Sequence, residues 1–114
     1  MRYTVSICEN YMFQRLYRSS RSEVTPLVAV YYRRNSMKLN RLGITASKKI
    51  GGAVQRNRAR RIIKEAYRLT EPELKKGFDI VVVARKKAVC AKMWDMKKSL
   101  MQIFERSSLL LKNG

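Results

Sequence analysis

Residues 47–68 read SKKIGGAVQRNRARRIIKEAYR, and the hydrophobic period of this stretch sets the fold. Eight of its 22 residues are Lys or Arg and one, Glu65, is acidic. From Ala53 onward apolar residues recur at helical spacing, which predicts a helix over 53–69 with one docked face and one cationic face. The docked arc contains Ala59, Ile62, Ile63, Ala66 and Leu69. The cationic arc contains Asn57, Arg60, Arg61, Lys64 and Arg68.

Apolar runs on both sides of this helix predict strands. RLGITAS at 41–47 leads into a glycine pair, and FDIVVVAR at 78–85 is a continuous apolar run typical of a strand buried on both faces. Strand, helix and strand between 41 and 85 would form a parallel pair joined by a crossover. A further run after Pro26 predicts a strand over 27–33, which the polar turn at 35–40 would pair with 41–47.

Helical spacing near both ends of the chain predicts two more helices. One spans 9–18, and the other runs from Met93 to Ser107, after which the tail SSLLLKNG is expected to fray. Without repeats or a long linker, 1–114 reads as a single domain. The predicted fold is α+β: a sandwich-like domain with a central, mostly antiparallel sheet of about four strands and helices packed on it.

The net charge indicates the kind of partner. Against 26 Lys and Arg the chain has 8 Asp and Glu, which gives a net charge of +18. Such self-repulsion opposes folding, and a polyanion such as nucleic acid is the usual reason for it. Between Glu23 and Glu65 there is no acidic residue, so the cations are expected to form one anion-binding face.

Several kinds of site are excluded by residue type. The chain has no histidine and no CxxC, and Cys8 and Cys90 are 82 positions apart, so a zinc site has no plausible ligand set. The eight acids are scattered, and Glu71 and Glu73 beside Pro72 are interpreted as a solvated turn. Neither a Walker loop nor a carboxylate cluster is present, which predicts no active site on the polypeptide.

The hydropathy pattern predicts the compartment. No apolar run approaches the roughly 20 residues of a membrane span. The start, MRYTVSICENYMFQ, lacks the apolar core of a signal peptide. A cytoplasmic, reduced protein without membrane contact is the expectation.

Aromatic residues form a second candidate binding surface. Phe13 and Tyr17 are one helical turn apart, and Tyr31 stands in a predicted strand beside two arginines. Aromatic faces with a cationic groove hold single-stranded nucleic acid. Core packing is the simpler interpretation of Phe13 alone, whereas both interpretations stay open for Tyr17 and Tyr31. For the basic helix the alternative is an ordinary solvated face.

The motifs resemble those of one family, the protein subunits of bacterial ribonuclease P. Its signature is a Ser-Lys-Lys, here 47–49, a Gly-x-Ala-Val, here 51–54, and an Arg-Asn-Arg, here 56–58, followed by a basic helix. The resemblance covers nearly the whole chain. It extends to NYMFQRLYRSS, VAVYYRR, RLGITAS, FDIVVVARKKA and KKSLMQIF.

The resemblance implies an accessory subunit of an endoribonuclease that removes the 5′ leader from precursor tRNA. A large RNA would be catalytic with Mg²⁺ bound mainly by RNA, and the polypeptide alone would hold no metal and be inactive. Its partners would be ribonuclease P RNA, with one protein per RNA, and precursor tRNA. The implied contacts to the catalytic RNA are Arg56, Asn57, Arg58, Arg60, Arg61 and Lys64. The implied contacts to the leader, in a cleft between sheet and first helix, are Phe13, Tyr17, Tyr31, Ser47, Lys48 and Lys49.

Two other functions fit the sequence less well than this one. A ribosomal or general RNA-binding protein would explain the charge and the fold, but it does not account for the three motifs in this order. An autonomous protein nuclease would need an acid or histidine constellation, which the sequence lacks.

Overall fold

The computed structural model describes residues 3–7 and 10–111. The predicted helix start at Glu9, the thiol of Cys8 and the tail residues 112–114 lie outside this part of the chain. The strands are β1 Thr4–Ser6, β2 Arg21–Val24, β3 Val28–Arg34, β4 Asn40–Thr45 and β5 Phe78–Ala84. The helices are α1 Asn10–Ser19, α2 Ala53–Thr70 and α3 Met93–Arg106. Short 3₁₀ turns lie at Lys48–Ile50, Glu71–Glu73 and Lys86–Cys90.

The strands form one sheet in the order β1-β4-β5-β3-β2, which confirms the α+β class. The ladders β2/β3 and β3/β5 are antiparallel, and the second pairs seven residues. The ladders β1/β4 and β4/β5 are parallel, so the crossover through α2 is confirmed. The sheet has five strands rather than about four, because two short segments, β1 and β2, pair at its edges.

The predicted hairpin between 27–33 and 41–47 is wrong. β5 lies between β3 and β4, with Val82 paired to Val30 on one side and to Ile44 on the other. The reason is the apolar character of β5, whose central residues Ile80, Val81 and Val82 are buried. A strand with two apolar faces is most stable in the middle of a sheet, and the crossover delivers it there.

Helices cover the two faces of the sheet unequally. Ile80, Val82 and Ala84 of β5 belong to the main core with α2 and α3. Val81 belongs to a smaller core on the other face, where Leu16 of α1 and Val83 pack beside it. Alternate residues of one strand thus contribute to separate cores, as the pleat requires.

Helix α2 docks slightly differently from the predicted arc. Ala59, Ile63 and Ala66 are fully buried as expected, but Leu69 is 40% exposed. Tyr67, which was not predicted to be internal, is fully buried. Its hydroxyl is 2.9 Å from Oγ1 of Thr4, and its ring meets that of Phe104 edge to face at 6.3 Å. A partner for the hydroxyl makes it possible to bury a tyrosine here.

The segments after α2 and α3 hold each other in place. Leu109 is buried, its carbonyl accepts a hydrogen bond from the amide of Lys75 at 2.7 Å, and the amide of Leu111 donates to the carbonyl of Glu73 at 2.7 Å. The tail is therefore ordered to residue 111, contrary to the expectation that it frays. Pro72 and Glu73 are exposed, as the predicted solvated turn requires, whereas Glu71 is only 6% exposed.

Burial of Tyr67 predicts a loss of stability at alkaline pH. Desolvation, only partly offset by the hydrogen bond with Thr4, raises the pKa of Tyr67 from 10.0 to about 12. The folded state therefore favours the neutral phenol, and this contribution to stability is complete below pH 10 and lost as pH rises towards 12. Urea unfolding between pH 9 and 12 should show a steeper decline for the wild type than for Tyr67→Phe, which cannot ionise. Parallel declines would contradict the assignment.

Candidate nucleic-acid interface

Helix α1 holds aromatic residues against the less covered face of the sheet. Leu16 is 1% exposed and anchors the helix, and Phe13 lies over Gly43 of β4. A Cβ at position 43 would stand 2.5 Å from Cε1 of Phe13, closer than any side chain could approach. Glycine is thus needed for the ring to lie directly on the strand.

Tyr17 and Tyr31 complete this group. Their ring centroids are 5.0 Å apart with an interplanar angle of 79°, and Tyr17 is 43% exposed. Tyr31 pairs across the sheet with Val81, which also pairs with Gly43. The structure therefore brings Phe13, Tyr17 and Tyr31 together as one aromatic cluster. Phe13 is partly buried against Gly43, whereas Tyr17 presents much of its side chain to solvent.

The Ser-Lys-Lys motif follows the end of β4. Ser47, Lys48 and Lys49 are all exposed, and the carbonyl of Ser47 accepts the amide of Ile50 at 3.2 Å in the 3₁₀ turn. Thr45, at the end of β4, belongs to the cross-strand row next to the aromatic cluster. Lys48 and Lys49 thus lie just beyond the end of β4 that contains Thr45.

Helix α2 presents the cationic face that its sequence predicts. Asn57, Arg60, Arg61, Lys64 and Arg68 are exposed. The first turn contains no acid to offset the positive end of the helix dipole. Glu65 is bound to Arg68, whose hydrogen bond lowers the pKa of that carboxyl. The acid of this helix thus engages the last arginine and leaves the middle of the face positive.

Arg58 differs from its neighbours because its guanidinium turns towards the protein. It donates to the backbone carbonyl of Val89 and, at 3.0 Å, to that of Ala91. These carbonyls belong to the segment between β5 and α3, so Arg58 joins α2 to that segment. Spacing along the helix gave no signal of this role.

Two other predicted contacts to the catalytic RNA, Arg60 and Arg56, also direct polar groups towards the protein. Arg60 donates to the side chain of Asn57 at 3.1 Å and to the carbonyl of Ala46 at 3.3 Å. The Nε of Arg56 is buried and has no hydrogen-bond partner among the described residues.

A cavity of about 230 Å³ beside α1, the arginine pocket, corresponds to none of the sites predicted from the sequence. Its walls include Arg15 of α1, Arg33 and Arg34 of β3, and Arg41 of β4, together with Asp79 of β5. These residues come from four elements, and only the strand order brings them together. Sequence spacing therefore carries no sign of the pocket.

The described part of the chain offers neither a cluster of metal ligands nor a membrane span. It contains no group of three or more His, Cys, Asp or Glu side chains that could hold a metal ion. Its helices are too short or too polar to cross a membrane. Cys90 is an exposed free thiol.

Known proteins resemble this chain in sequence and in structure. The family model described as Ribonuclease P matches residues 1–108. A ribonuclease P protein component of Thermoanaerobacter sp. (strain X514) is 39% identical over 109 residues, covering 96% of this chain and 94% of the relative. The Staphylococcus aureus RNase P protein superposes with a TM-score of 0.82 at 31% identity, covering 93% of this chain and 97% of that one. For the Thermotoga maritima RNase P protein the values are 0.75, 32%, 82% and 89%.

Proposed function

The chain belongs to the ribonuclease P family, and from this premise we propose that its two RNA-binding surfaces serve different RNAs. Membership gives it a part in the bacterial ribonucleoprotein that processes tRNA. The cationic face of α2 binds the catalytic RNA, and the aromatic cluster with the Ser-Lys-Lys motif binds the 5′ leader of the precursor.

One observation carries this proposal: the two surfaces stand on opposite faces of one sheet. The core residues under α2 include Leu42, Ile80 and Val82, whereas Val81 lies under α1 and the aromatic cluster. A protein built in this way can contact two RNAs at once without competition between them. Simultaneous contact is what a subunit needs in order to present a substrate to a catalytic RNA.

The contacts to the catalytic RNA differ in character along α2. Arg61 and Lys64 are exposed and supply charge to the phosphate backbone, and the partly exposed Arg56 adds a further cation in the first turn of the helix. Arg58 acts mainly by holding the neighbouring segment in position. The full set is Arg56, Asn57, Arg58, Arg60, Arg61 and Lys64.

The leader contacts combine stacking with charge. The exposed ring of Tyr17 offers a stacking surface beside Tyr31, and bases of any sequence can stack on it. Cations beyond the end of β4 neutralise the phosphates of the same strand. The full set is Phe13, Tyr17, Tyr31, Ser47, Lys48 and Lys49.

Hydrolysis belongs to the RNA subunit in this proposal. Mg²⁺ prefers carboxylate and phosphate oxygens, and the phosphates of an RNA supply such oxygens at high density. The Mg²⁺ of the holoenzyme is held mainly by RNA, and the polypeptide alone is inactive. One protein per catalytic RNA suffices, because a single copy has both surfaces, and the complex works in the cytoplasm.

A cleavage assay with three arms tests this function. A 5′-labelled precursor tRNA is incubated at low Mg²⁺ with the protein, with a bacterial ribonuclease P RNA, and with both. Cleavage at the mature 5′ end is expected in the combined reaction only. Cleavage by the protein alone would refute the assignment of catalysis to RNA, and no enhancement by the protein would favour a general RNA-binding role.

The leader assignment predicts a selective effect of Tyr31→Ala. Loss of one stacking surface is worth about 1–3 kcal/mol, so the apparent KM for precursor tRNA should rise about tenfold. Binding of the catalytic RNA should stay unchanged, because α2 lies on the other face. Tyr31→Phe keeps the ring and should behave as wild type. An equal rise in KM for a substrate with a one-nucleotide leader would contradict leader stacking.

A further inference from the structure

Trp94, in the first turn of α3, directs its side chain into solvent. It is the single tryptophan of the chain and is 72% exposed. The apolar residues that anchor α3 lie on the other side of the helix. Met96 and Ile103 are fully buried, and at about 100° per residue they leave the helix roughly 160–180° away from Trp94. Packing of α3 on the core thus does not require the indole ring, and an exposed tryptophan of this kind is typical of a contact to a partner.

The start of α3 lies beside the cationic face of α2. Met93 lines a groove together with four residues of α2, which are Arg58, Arg61, Ile62 and Glu65. One helical turn after Met93, the Nζ of Lys97 is 5.4 Å from the centre of the Trp94 ring. Both helices pack on the same face of the sheet, whereas the aromatic cluster lies on the other face. Trp94 is therefore on the side of the protein that is proposed to bind the catalytic RNA.

Arg58 of α2 fixes the backbone that leads into α3. Its guanidinium donates to the carbonyls of Val89 and Ala91, and Ala91 is three residues before Trp94. Ala88 and Ala91 are buried, and the amide of Ala91 donates to the carbonyl of Ala88 at 3.3 Å. The start of α3 is thus held in place in the free protein. A contact that is positioned before its partner arrives loses less entropy on binding.

The charges around Trp94 favour an anionic partner. Lys92, Lys97 and Lys98 lie within four residues of it, against one acid, Asp95. An aromatic face beside cations is the combination with which proteins hold unpaired bases of RNA. An apolar protein surface would have to desolvate these lysines, which is costly without a paired acid. The surroundings of Trp94 therefore suit a nucleic acid better than an apolar protein surface.

We propose that Trp94 is a further contact to the catalytic RNA, in which the indole ring stacks on an unpaired base next to the segment bound by α2. This inference rests on the proposed function, because it takes the same RNA as its partner. Arg58 is then a positioning residue that holds the start of α3 against α2. Stacking adds affinity without adding charge, so Trp94 complements the phosphate contacts of Arg61 and Lys64. Any base can stack in this way, so an unpaired base is recognised rather than a sequence.

The first experiment uses the fluorescence of Trp94, to which no other tryptophan contributes. The wild-type protein is titrated with ribonuclease P RNA and, in parallel, with a single-stranded leader oligonucleotide. Stacking on a base should quench the emission in the complex with ribonuclease P RNA, and the leader should leave it unchanged. The neutral quencher acrylamide should reach the ring in the free protein and lose access in the complex. Unchanged emission and unchanged access of acrylamide with the RNA bound would overturn the proposal.

Affinities of variants for ribonuclease P RNA separate stacking from charge. Trp94→Ala should bind about tenfold more weakly, the equivalent of about 1.4 kcal/mol, and its salt slope should stay the same because no charge is removed. Trp94→Tyr keeps a stacking ring and should recover most of the affinity. Val24→Ala removes exposed apolar surface from β2 and should bind as wild type. An unchanged urea midpoint shows that Trp94→Ala is folded, and equal affinity of Trp94→Ala and Val24→Ala would refute the contact.

A double variant tests the positioning role of Arg58. The losses of affinity in Arg58→Ala and Trp94→Ala should not add when the two are combined, since both act on the same contact. Fully additive losses would contradict that role.

Failure of this inference and failure of the proposed function give different results. If the protein enhances precursor cleavage by ribonuclease P RNA while Trp94→Ala binds that RNA as wild type does, the contact of Trp94 alone is refuted. If the wild-type protein does not bind ribonuclease P RNA, the proposed function fails and the contact of Trp94 fails with it.

Discussion

Tyr67→Ala should lower the free energy of unfolding by about 3–5 kcal/mol, the largest effect expected of a single substitution in this chain. The ring is fully buried and packs edge to face on Phe104. Removing it leaves a cavity between α2 and α3 and an unpartnered hydroxyl on Thr4. The measurement is urea unfolding at neutral pH, read as a change in the midpoint at constant slope.

The matched substitution Tyr67→Phe separates the two parts of this effect. It keeps the ring and removes the hydroxyl bonded to Thr4, and one such hydrogen bond contributes about 1 kcal/mol. We therefore expect most of the loss in the alanine variant to come from the cavity. If phenylalanine were as destabilising as alanine, the hydroxyl rather than the packing would hold α2 in place.

Arg58→Ala should destabilise the protein by about 1.5–3 kcal/mol or more, because each hydrogen bond from a charged donor is worth an amount of that order. Its two acceptors are the carbonyls of Val89 and Ala91. Weaker binding to ribonuclease P RNA is expected as a consequence of the loosened segment. Arg58→Lys should rescue poorly, since an ammonium lacks the planar fork that reaches two carbonyls.

Arg61→Ala is the control that distinguishes a structural arginine from an RNA contact. Arg61 is exposed, so stability should change by no more than about 0.5 kcal/mol. Affinity for the catalytic RNA should fall, with a salt slope shallower by about 0.7–0.9. Urea unfolding and filter binding on both variants provide the comparison. A large stability loss in Arg61→Ala, or none in Arg58→Ala, would reverse the two assignments.

The parts of the fold with strong hydrophobic patterns could be predicted from the sequence. The helical period of α2 and the apolar run of β5 fixed both elements to within a residue, together with the parallel crossover that joins them. β1 and β2, with the sequences TVS and RSEV, could not be found because they are short and carry little apolar surface. They are strands because a neighbour offers them hydrogen bonds, and this depends on strand order rather than on local sequence.

Some parts of the candidate site could likewise be predicted from the sequence, and others could not. The exposed face of α2 and the pairing of Phe13 with Tyr17 follow from helical spacing. The inward turn of Arg58 depends on carbonyls 31 and 33 residues away along the chain. The arginine pocket requires that β4 and β5 lie side by side and that α1 crosses them. Contacts of this kind arise from tertiary packing and leave no periodic trace.

The side chains of β5 alternate between the two faces of the sheet, and this has a genetic consequence. Val81 supports the surface under α1, and its neighbours Ile80 and Val82 support the layer under α2. A missense change in this strand therefore alters one surface and spares the other, so the two can diverge independently. An insertion or deletion of one codon would turn every following side chain to the opposite face and damage both surfaces together. This strand can thus accept substitutions over evolutionary time while its length stays fixed.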